Sequence, residues 1–167
     1  MRVSVIIPVW NGQDTLQACL DSIYVNGQDQ LEVICVDNAS SDQSLKVIRD
    51  GFPSVLVLEQ PVNLGFAGAV NEGLAAATGE AFVLLNQDCL VQPGWLAPLV
   101  DELSKPDPRI CGCLIETPDG QVDHAGAAIR RPDGRGIHVQ AYPTASIPYS
   151  AEYVTGALFA FTRETWQ

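Results

Sequence analysis

Positive charge is scarce in this chain: nine Lys and Arg stand against twenty Asp and Glu over 167 residues, a formal net charge of −11. Such a surface repels phosphate backbones and anionic leaflets, so nucleic acid is not an expected partner. Long apolar runs are also missing. None reaches the roughly 18 to 20 residues that span a bilayer, and the first is cut by Pro8 before it attains the length of a signal-peptide core. The expectation is a cytoplasmic protein with no transmembrane segment, at most peripheral at a membrane. Cysteines number five, an odd count, and Cys19, Cys35 and Cys89 lie in apolar stretches where cysteine acts as a small buried hydrophobe. Reduced thiols are expected.

Two nucleotide signatures are absent as well. No Gly-x-Gly-x-x-Gly follows the first apolar run and no Gly-Lys-Ser/Thr occurs, which sets aside dinucleotide-dependent dehydrogenases and P-loop enzymes. Neither repeats nor low-complexity tracts are visible. With 47% hydrophobic residues, a single domain of this length can build a core without metal or disulfide staples.

The apolar pattern alternates between two periods. Val3 to Val9 is a β-branched run that reads as a strand buried on both faces, and Leu16, Cys19, Leu20 and Ile23 then recur at helical spacing. Leu31 to Val36 is a second strand, ending at Asp37-Asn38. Ser40-Ser41-Asp42-Gln43 has the spacing of a capping box ahead of a helix carrying Leu45, Val47 and Ile48. Val55 to Leu58 is a third strand, Phe66 to Ala77 a small-residue helix opened by Asn63-Leu64-Gly65, and Ala81 to Leu85 a fourth strand. Trp95 to Leu103 reads as a helix, Lys105-Pro106-Asp107-Pro108 as a breaker, and Ile110 to Ile115 as a fifth strand. Shorter segments follow at Ala125 to Ile129, Gly136 to Val139 and Tyr153 to Phe161, and the last six residues read as a helix with a start and no finish. That ending suggests a fragment. The alternation predicts an α/β fold: a mostly parallel central sheet with helices on both faces and ligands at the strand C-terminal ends.

Those ends carry the polar residues. Asp37 can accept hydrogen bonds from a nucleobase N–H or a ribose hydroxyl, or can cap the following turn. Asn86-Gln87-Asp88 hangs an amide and a carboxylate, two residues apart, off a buried strand. Hard oxygen ligands of this kind suit Mg²⁺ or Mn²⁺ when a diphosphate supplies the remaining oxygens. A divalent ion also lets so acidic a protein hold an anionic ligand. Cys111, Cys113, His124 and His138 are zinc-ligand types, but Cys-x-Cys on an apolar strand lacks the paired spacing of zinc motifs. No zinc site is expected, and His124 beside Asp123 reads as a surface turn in preference to an acid–base pair.

Taken in order, Val3-Ser4-Val5-Ile6-Ile7-Pro8-Val9-Trp10-Asn11-Gly12 and Val36-Asp37-Asn38-Ala39-Ser40-Ser41-Asp42 resemble family 2 glycosyltransferases. Asn63-Leu64-Gly65-Phe66-Ala67-Gly68-Ala69-Val70-Asn71 and Leu84-Leu85-Asn86-Gln87-Asp88 are similar to its bacterial rhamnosyltransferase-like branch. The resemblance implies a GT-A (nucleotide-diphospho-sugar transferase), Rossmann-like fold over residues 1–167. Residues 1–90 would be the nucleotide-sugar half and 91–167 the incomplete start of the acceptor half. It also implies that Pro8, Val9, Asn11 and Asp37 border the donor's base and ribose, with Asn63, Gly65, Asn71 and Asn86 on the nucleotide-sugar side. Asp88 would be the direct metal ligand, because asparagine replaces the first aspartate of the family's Asp-x-Asp motif. Thr155 and Gly156, within Tyr153-Val154-Thr155-Gly156-Ala157, resemble the acceptor-side strand.

The family's Gly-Gly-Phe-Asp segment and Glu-Asp pair do not occur, so the general base is expected beyond Gln167. The implied reaction is inverting, metal-assisted transfer from a nucleotide-diphosphate sugar, with dTDP-rhamnose the favoured donor. The implied acceptor is a saccharide or lipid-linked precursor of a cell-surface polysaccharide. A non-catalytic nucleotide-sugar-binding module, or an inactive fragment, is the alternative, followed by a nucleotidyltransferase on a related fold. Processive synthases are excluded by the missing transmembrane helices and Gln-x-x-Arg-Trp motif.

Overall fold

A computed structural model describes residues 1–27, 31–107, 109–140 and 148–166. The chain runs β1 (Val3–Val9), α1 (Leu16–Asn26), β2 (Leu31–Asp37), α2 (Ser44–Gly51), β3 (Leu56–Glu59), α3 (Gly65–Ala76), β4 (Ala81–Leu85) and α4 (Leu96–Leu103). It continues through β5 (Ile110–Gly112), β6 (Ile115–Glu116), β7 (Val122–His124), β8 (Ala127–Arg130), β9 (Arg135–His138), β10 (Leu158–Thr162) and α5 (Arg163–Trp166). Pro108 of the predicted breaker and Gln167 of the predicted last helix lie outside the described residues.

Six strands form the main sheet in the order β3-β2-β1-β4-β10-β5. β1 to β4 are mutually parallel, and β10 runs antiparallel to both β4 and β5. The strand period of two sends alternate residues of β1 to opposite faces. Val3, Val5, Ile7 and Val9 pack in one core with Leu16, Leu20 and Ile23 of α1, Ile48 of α2 and Leu96, Leu99 and Leu103 of α4. Ile6 packs in the other with Ile34, Val36, Phe82, Leu84 and, from α3, Ala69, Val70 and Leu74. Helices therefore cover both faces, as the pattern predicts, and each fully buried Val, Ile or Leu contributes about 1.5–3 kcal/mol of transfer free energy. Gly73 brings α3 close to the sheet: a Cβ there would collide with Ile6 Cγ2 and sit 3.2 Å from Val36 Cγ2.

Three predicted features differ. The fifth strand is split, since only Ile110–Gly112 joins the main sheet and Ile115–Glu116 pairs with β7 in a separate ribbon. Val154 packs where a Gly112 side chain would stand, 2.7 Å from an ideal Cβ, and the chain leaves the sheet there. The Tyr153 to Phe161 segment is a strand only from Leu158, and it inserts between β4 and β5. The capping box does not form: Ser40 Oγ accepts the Asn11 N–H at 3.0 Å, and Asp42 Oδ1 receives the Ser44 N–H at 2.9 Å.

Candidate functional site

β1 and β2 stay paired as far as Val9 and Asp37, whereas β1 and β4 pair only as far as Ile6 and Leu84. Pro8 has no N–H to extend a ladder, and the tips of β1 and β4 part beyond it. A cleft of about 370 Å³ lies at this parting, lined by Pro8, Val9, Trp10, Asn38, Asn63, Gly65, Phe66, Asn86, Gln87 and Asp88. Trp10 and Phe66 are 55% and 49% exposed, large apolar side chains left facing solvent at the site.

The walls are tied together by amides. Gln87 Oε1 accepts the Trp10 N–H at 2.9 Å and its Nε2 donates to the Trp10 carbonyl at 3.1 Å, so one side chain substitutes for the ladder that Pro8 interrupts. Gly12 makes room for this clamp, for a Cβ there would lie 2.7 Å from Gln87 Cδ and nearer still to Oε1. Asn38, 4% exposed, accepts the Leu64 N–H at 2.7 Å and donates to Asn63 Oδ1 at 2.9 Å and the Gly65 carbonyl at 3.2 Å. Asn63 Oδ1 also accepts the Gly65 N–H at 2.8 Å. Gly65 takes φ 72°, which glycine adopts freely. Ala39 takes φ 61°, a strained backbone directly after Asn38, and such strain clusters at functional sites.

Asp37 is 2% exposed at the end of β2. Its Oδ2 accepts the Ser40 N–H at 3.2 Å, whereas buried Oδ1 has no partner. One oxygen of this carboxylate thus braces the turn, and the other is buried without a partner. Leaving a buried acceptor unpaired costs about 1–3 kcal/mol, which a ligand N–H or O–H recovers.

Asp88 is exposed in the cleft wall beside half-buried Asn86 and Gln87. Among the described residues no group of three or more His, Cys, Asp or Glu gathers as a metal cluster. A lone carboxylate with an adjacent amide fits an ion whose other ligands are phosphate oxygens and water, the habit of Mg²⁺ and Mn²⁺. Burial first and the Asp88 charge second push the neighbouring Cys89 thiol up to about 11. All five cysteines are unpaired, and burial raises the Cys19 thiol to about 12.

The remaining predicted residues divide. Pro8, Val9, Asn63, Gly65, Asn86 and Asp88 line one cleft, with Asp37 on the strand beside it. Asn11 does not line it; its Oδ1 accepts the Ser41 N–H at 2.8 Å and ties the β1 and β2 tips together. Asn71 is exposed on α3 and is not a lining residue either. Thr155 and Gly156 are joined to the β4 tip through Ala157, whose carbonyl accepts the Asn86 N–H at 3.0 Å and the Cys89 thiol at 3.6 Å. Trp10, Asn38, Phe66 and Gln87 sit inside the recognised motifs but were not predicted as site residues; their position beside predicted ones is the signal that finds them. His124 overturns its prediction as a surface turn. It is 1% exposed, with Nδ1 3.2 Å from His138 Nδ1, because the β8–β9 hairpin folds back over β7.

Comparison with known proteins gives a consistent picture. The family model for glycosyl transferase family 2 matches residues 4–165. A poly(ribitol-phosphate) beta-glucosyltransferase of Bacillus spizizenii is 37% identical over 95 residues, covering 53% of this chain and 15% of that protein. Mannosyltransferase PcManGT from Pyrobaculum calidifontis, solved in complex with GDP-Man and Mn²⁺, superposes with a TM-score of 0.70 at 28% identity, over 98% of this chain and 45% of that one. S. aureus TarS 1-349 in complex with UDP superposes with a TM-score of 0.58 at 25% identity, over 66% of this chain and 34% of that one. The chain thus spans less than half the length of each of these relatives. No helix among the described residues is long and apolar enough to cross a membrane.

Proposed function

The chain belongs to glycosyl transferase family 2 and has the GT-A fold, and from that premise we propose that it binds a nucleotide-diphosphate sugar in the cleft between the β1 and β4 tips and serves its transfer, with inversion, to an acceptor hydroxyl. The observation that carries this reading is an unpartnered buried Asp37 oxygen at the end of β2 together with an exposed Asp88 carboxylate just past the end of β4, the two strands that flank β1. Asp37 Oδ1 receives a hydrogen bond from the base or ribose. Asn38, Asn63 and Gly65 fix the floor, and Gln87 holds the Trp10 wall against β4. Asp88 would hold Mg²⁺ or Mn²⁺, with Asn86 beside it on the nucleotide-sugar side, and the ion would supply positive charge against a departing diphosphate.

In the transfer itself, the acceptor oxygen forms a bond to the anomeric carbon from the face opposite the leaving group. The anomeric C–O bond breaks with its electron pair passing to the diphosphate, and the hydroxyl proton passes to a general base. Among the described residues lining the cleft Asp88 is the one carboxylate, and it is proposed for the ion, so the base is proposed to lie beyond Gln167. A dTDP-rhamnose donor, a cytoplasmic site of action and a saccharide or lipid-linked acceptor in cell-surface polysaccharide synthesis belong to the same proposal. Similarity to the poly(ribitol-phosphate) glucosyltransferase supports the acceptor class, whereas the donor sugar rests on the branch resemblance.

Calorimetric titration with GDP, UDP and dTDP, each with and without Mn²⁺, tests the reading. One nucleotide is expected to bind in a Mn²⁺-dependent manner. Asp88→Ala should abolish that dependence, and Asp37→Ala should weaken binding roughly ten- to a hundred-fold, the value of a hydrogen bond to a charged group. Binding that ignores Mn²⁺ and both substitutions refutes it. Rapid radiolabelled transfer by these residues alone would refute a base beyond Gln167, and affinity without turnover in any longer form would favour a binding module.

A further inference from the structure

The part of the structure that this reading leaves unused is a buried imidazole, His124, with the exposed His138 ring set against it, behind the segment proposed as the acceptor side. We propose that His124 is the positioning residue for Thr155-Gly156-Ala157, holding that segment against the β4 tip through a hydrogen-bond chain whose direction is fixed by the Thr155 N–H.

The chain begins at a backbone donor, which fixes every proton after it. The Thr155 N–H donates to His124 Nε2 at 3.2 Å, so Nε2 carries no proton and a neutral His124 carries its proton on Nδ1. Nδ1 lies 3.2 Å from His138 Nδ1, which must then accept, leaving the His138 proton on Nε2. The two rings meet edge to face, with centroids 4.7 Å apart and planes at 84°. Past Thr155, its Oγ1 accepts the Ala157 N–H at 3.3 Å, and the Ala157 carbonyl accepts the Asn86 N–H at 3.0 Å. The path from His138 therefore ends on a cleft residue two positions from Asp88.

The surroundings are built to hold the pair. The Ala125 N–H donates to the Val139 carbonyl at 2.8 Å and the Val139 N–H to the Gly126 carbonyl at 2.9 Å, which seats His138 over β7. Tyr153 packs its ring on both imidazoles, and Gly136 leaves the space it fills, since a Cβ there would lie 2.7 Å from Tyr153 Cε1. The ionisable groups around His124 are His138 on β9, Asp123 on its own strand, Tyr153, and Glu116 on β6, paired opposite Val122. The arrangement needs the neutral form of His124. A proton added to His124 Nε2 faces the Thr155 N–H, and one added to His138 Nδ1 faces the His124 N–H. Burial, then His138, lowers the His124 pKa against the opposing pull of Asp123, which keeps the acceptor form at neutral pH.

This inference takes from the preceding reading only the role of the segment as the acceptor side, and its test has an arm that does not need turnover. In ¹⁵N-detected imidazole spectra of the whole chain at pH 7.5, His124 is expected as the Nδ1–H tautomer and His138 as the Nε2–H tautomer. The Thr155 and Asn86 amides should move together as His124 protonates. His124→Gln, which keeps an acceptor for Thr155, should hold both amides near their wild-type shifts, whereas His124→Phe should displace both. Where transfer is measurable, His124→Phe should cost about tenfold in acceptor-dependent kcat/KM while leaving the nucleotide Kd within about twofold. An Nε2–H tautomer for His124, or an Asn86 amide indifferent to a folded His124→Phe, overturns the proposal. Absence of nucleotide binding in the wild type counts against the cleft reading alone, and the tautomer spectra still decide this one.

Discussion

Replacing Gly12 by alanine probes the clamp that closes the base of the cleft. The new Cβ would stand 2.7 Å from Gln87 Cδ and 3.0 Å from Nε2, with Oε1 closer. Gln87 can swing away, but it then surrenders both hydrogen bonds to Trp10. At about 0.5–1.5 kcal/mol each the loss is about 1–3 kcal/mol, offset by the roughly 0.4–1 kcal/mol that Gly→Ala gains by restricting the unfolded chain. Gly12→Ala is therefore expected to destabilise by about 0.5–2 kcal/mol, read as a lower urea midpoint at unchanged m-value. Gln87→Ala alone should cost a similar amount. In the Gln87→Ala background the obstacle is gone, so adding Gly12→Ala should be neutral or stabilising, and the cycle should return a coupling of about 1–2 kcal/mol. Nucleotide affinity should fall in step in both single variants, because Trp10 lines the cleft. Additive effects of the two substitutions would refute the reasoning.

Gly73→Ala should destabilise by about 1–3 kcal/mol in thermal or urea unfolding, because overpacking against Ile6 and Val36 outweighs better helix propensity; a stabilised variant would refute close packing of α3 on the sheet. Glu32 supplies the pH dependence. Burial opposes its ionisation, but hydrogen bonds from Ser4 and Thr78 and the Arg2 charge outweigh it and hold the carboxyl below its ordinary 4.5. A depressed folded-state pKa stabilises above the unfolded value and is lost as pH falls through the folded one. The stability difference between wild type and Glu32→Gln should thus be largest at neutral pH and shrink in acid below 4.5, as followed by urea titrations at several pH values. Asp37→Asn should leave unliganded stability nearly unchanged in the same titrations while weakening nucleotide binding, since one of its oxygens is unpartnered until a ligand arrives.

The first half of the fold was legible because its signals are local. β1, β2 and β4 are buried on both faces, so their apolar runs stand out, and the polar residues at their ends mark the cleft directly. What could not be read depends on partners far along the chain. Gln87 bonds the backbone of Trp10, 77 positions away, and nothing in Asn-Gln-Asp says that the middle side chain turns back to bridge two strands. His124 looked like a turn residue because its burial comes from a hairpin that returns 14 residues later. The capping box failed for a related reason: Ser40 Oγ was claimed by the Asn11 N–H from a neighbouring strand tip before it could serve its own helix. Leu158–Thr162 was visible as an apolar run, but local pattern carries no sign of strand direction or of insertion between two earlier strands.

That insertion orders events during synthesis. Strands β1 to β4 can associate once the first 85 residues have left the ribosome, whereas β5 has, among the described residues, no neighbour in the main sheet except β10. The nascent chain must hold one side of β4 open while some seventy residues are added. A stop codon anywhere in that interval would leave the four parallel strands with a raw sheet edge, a species prone to self-association.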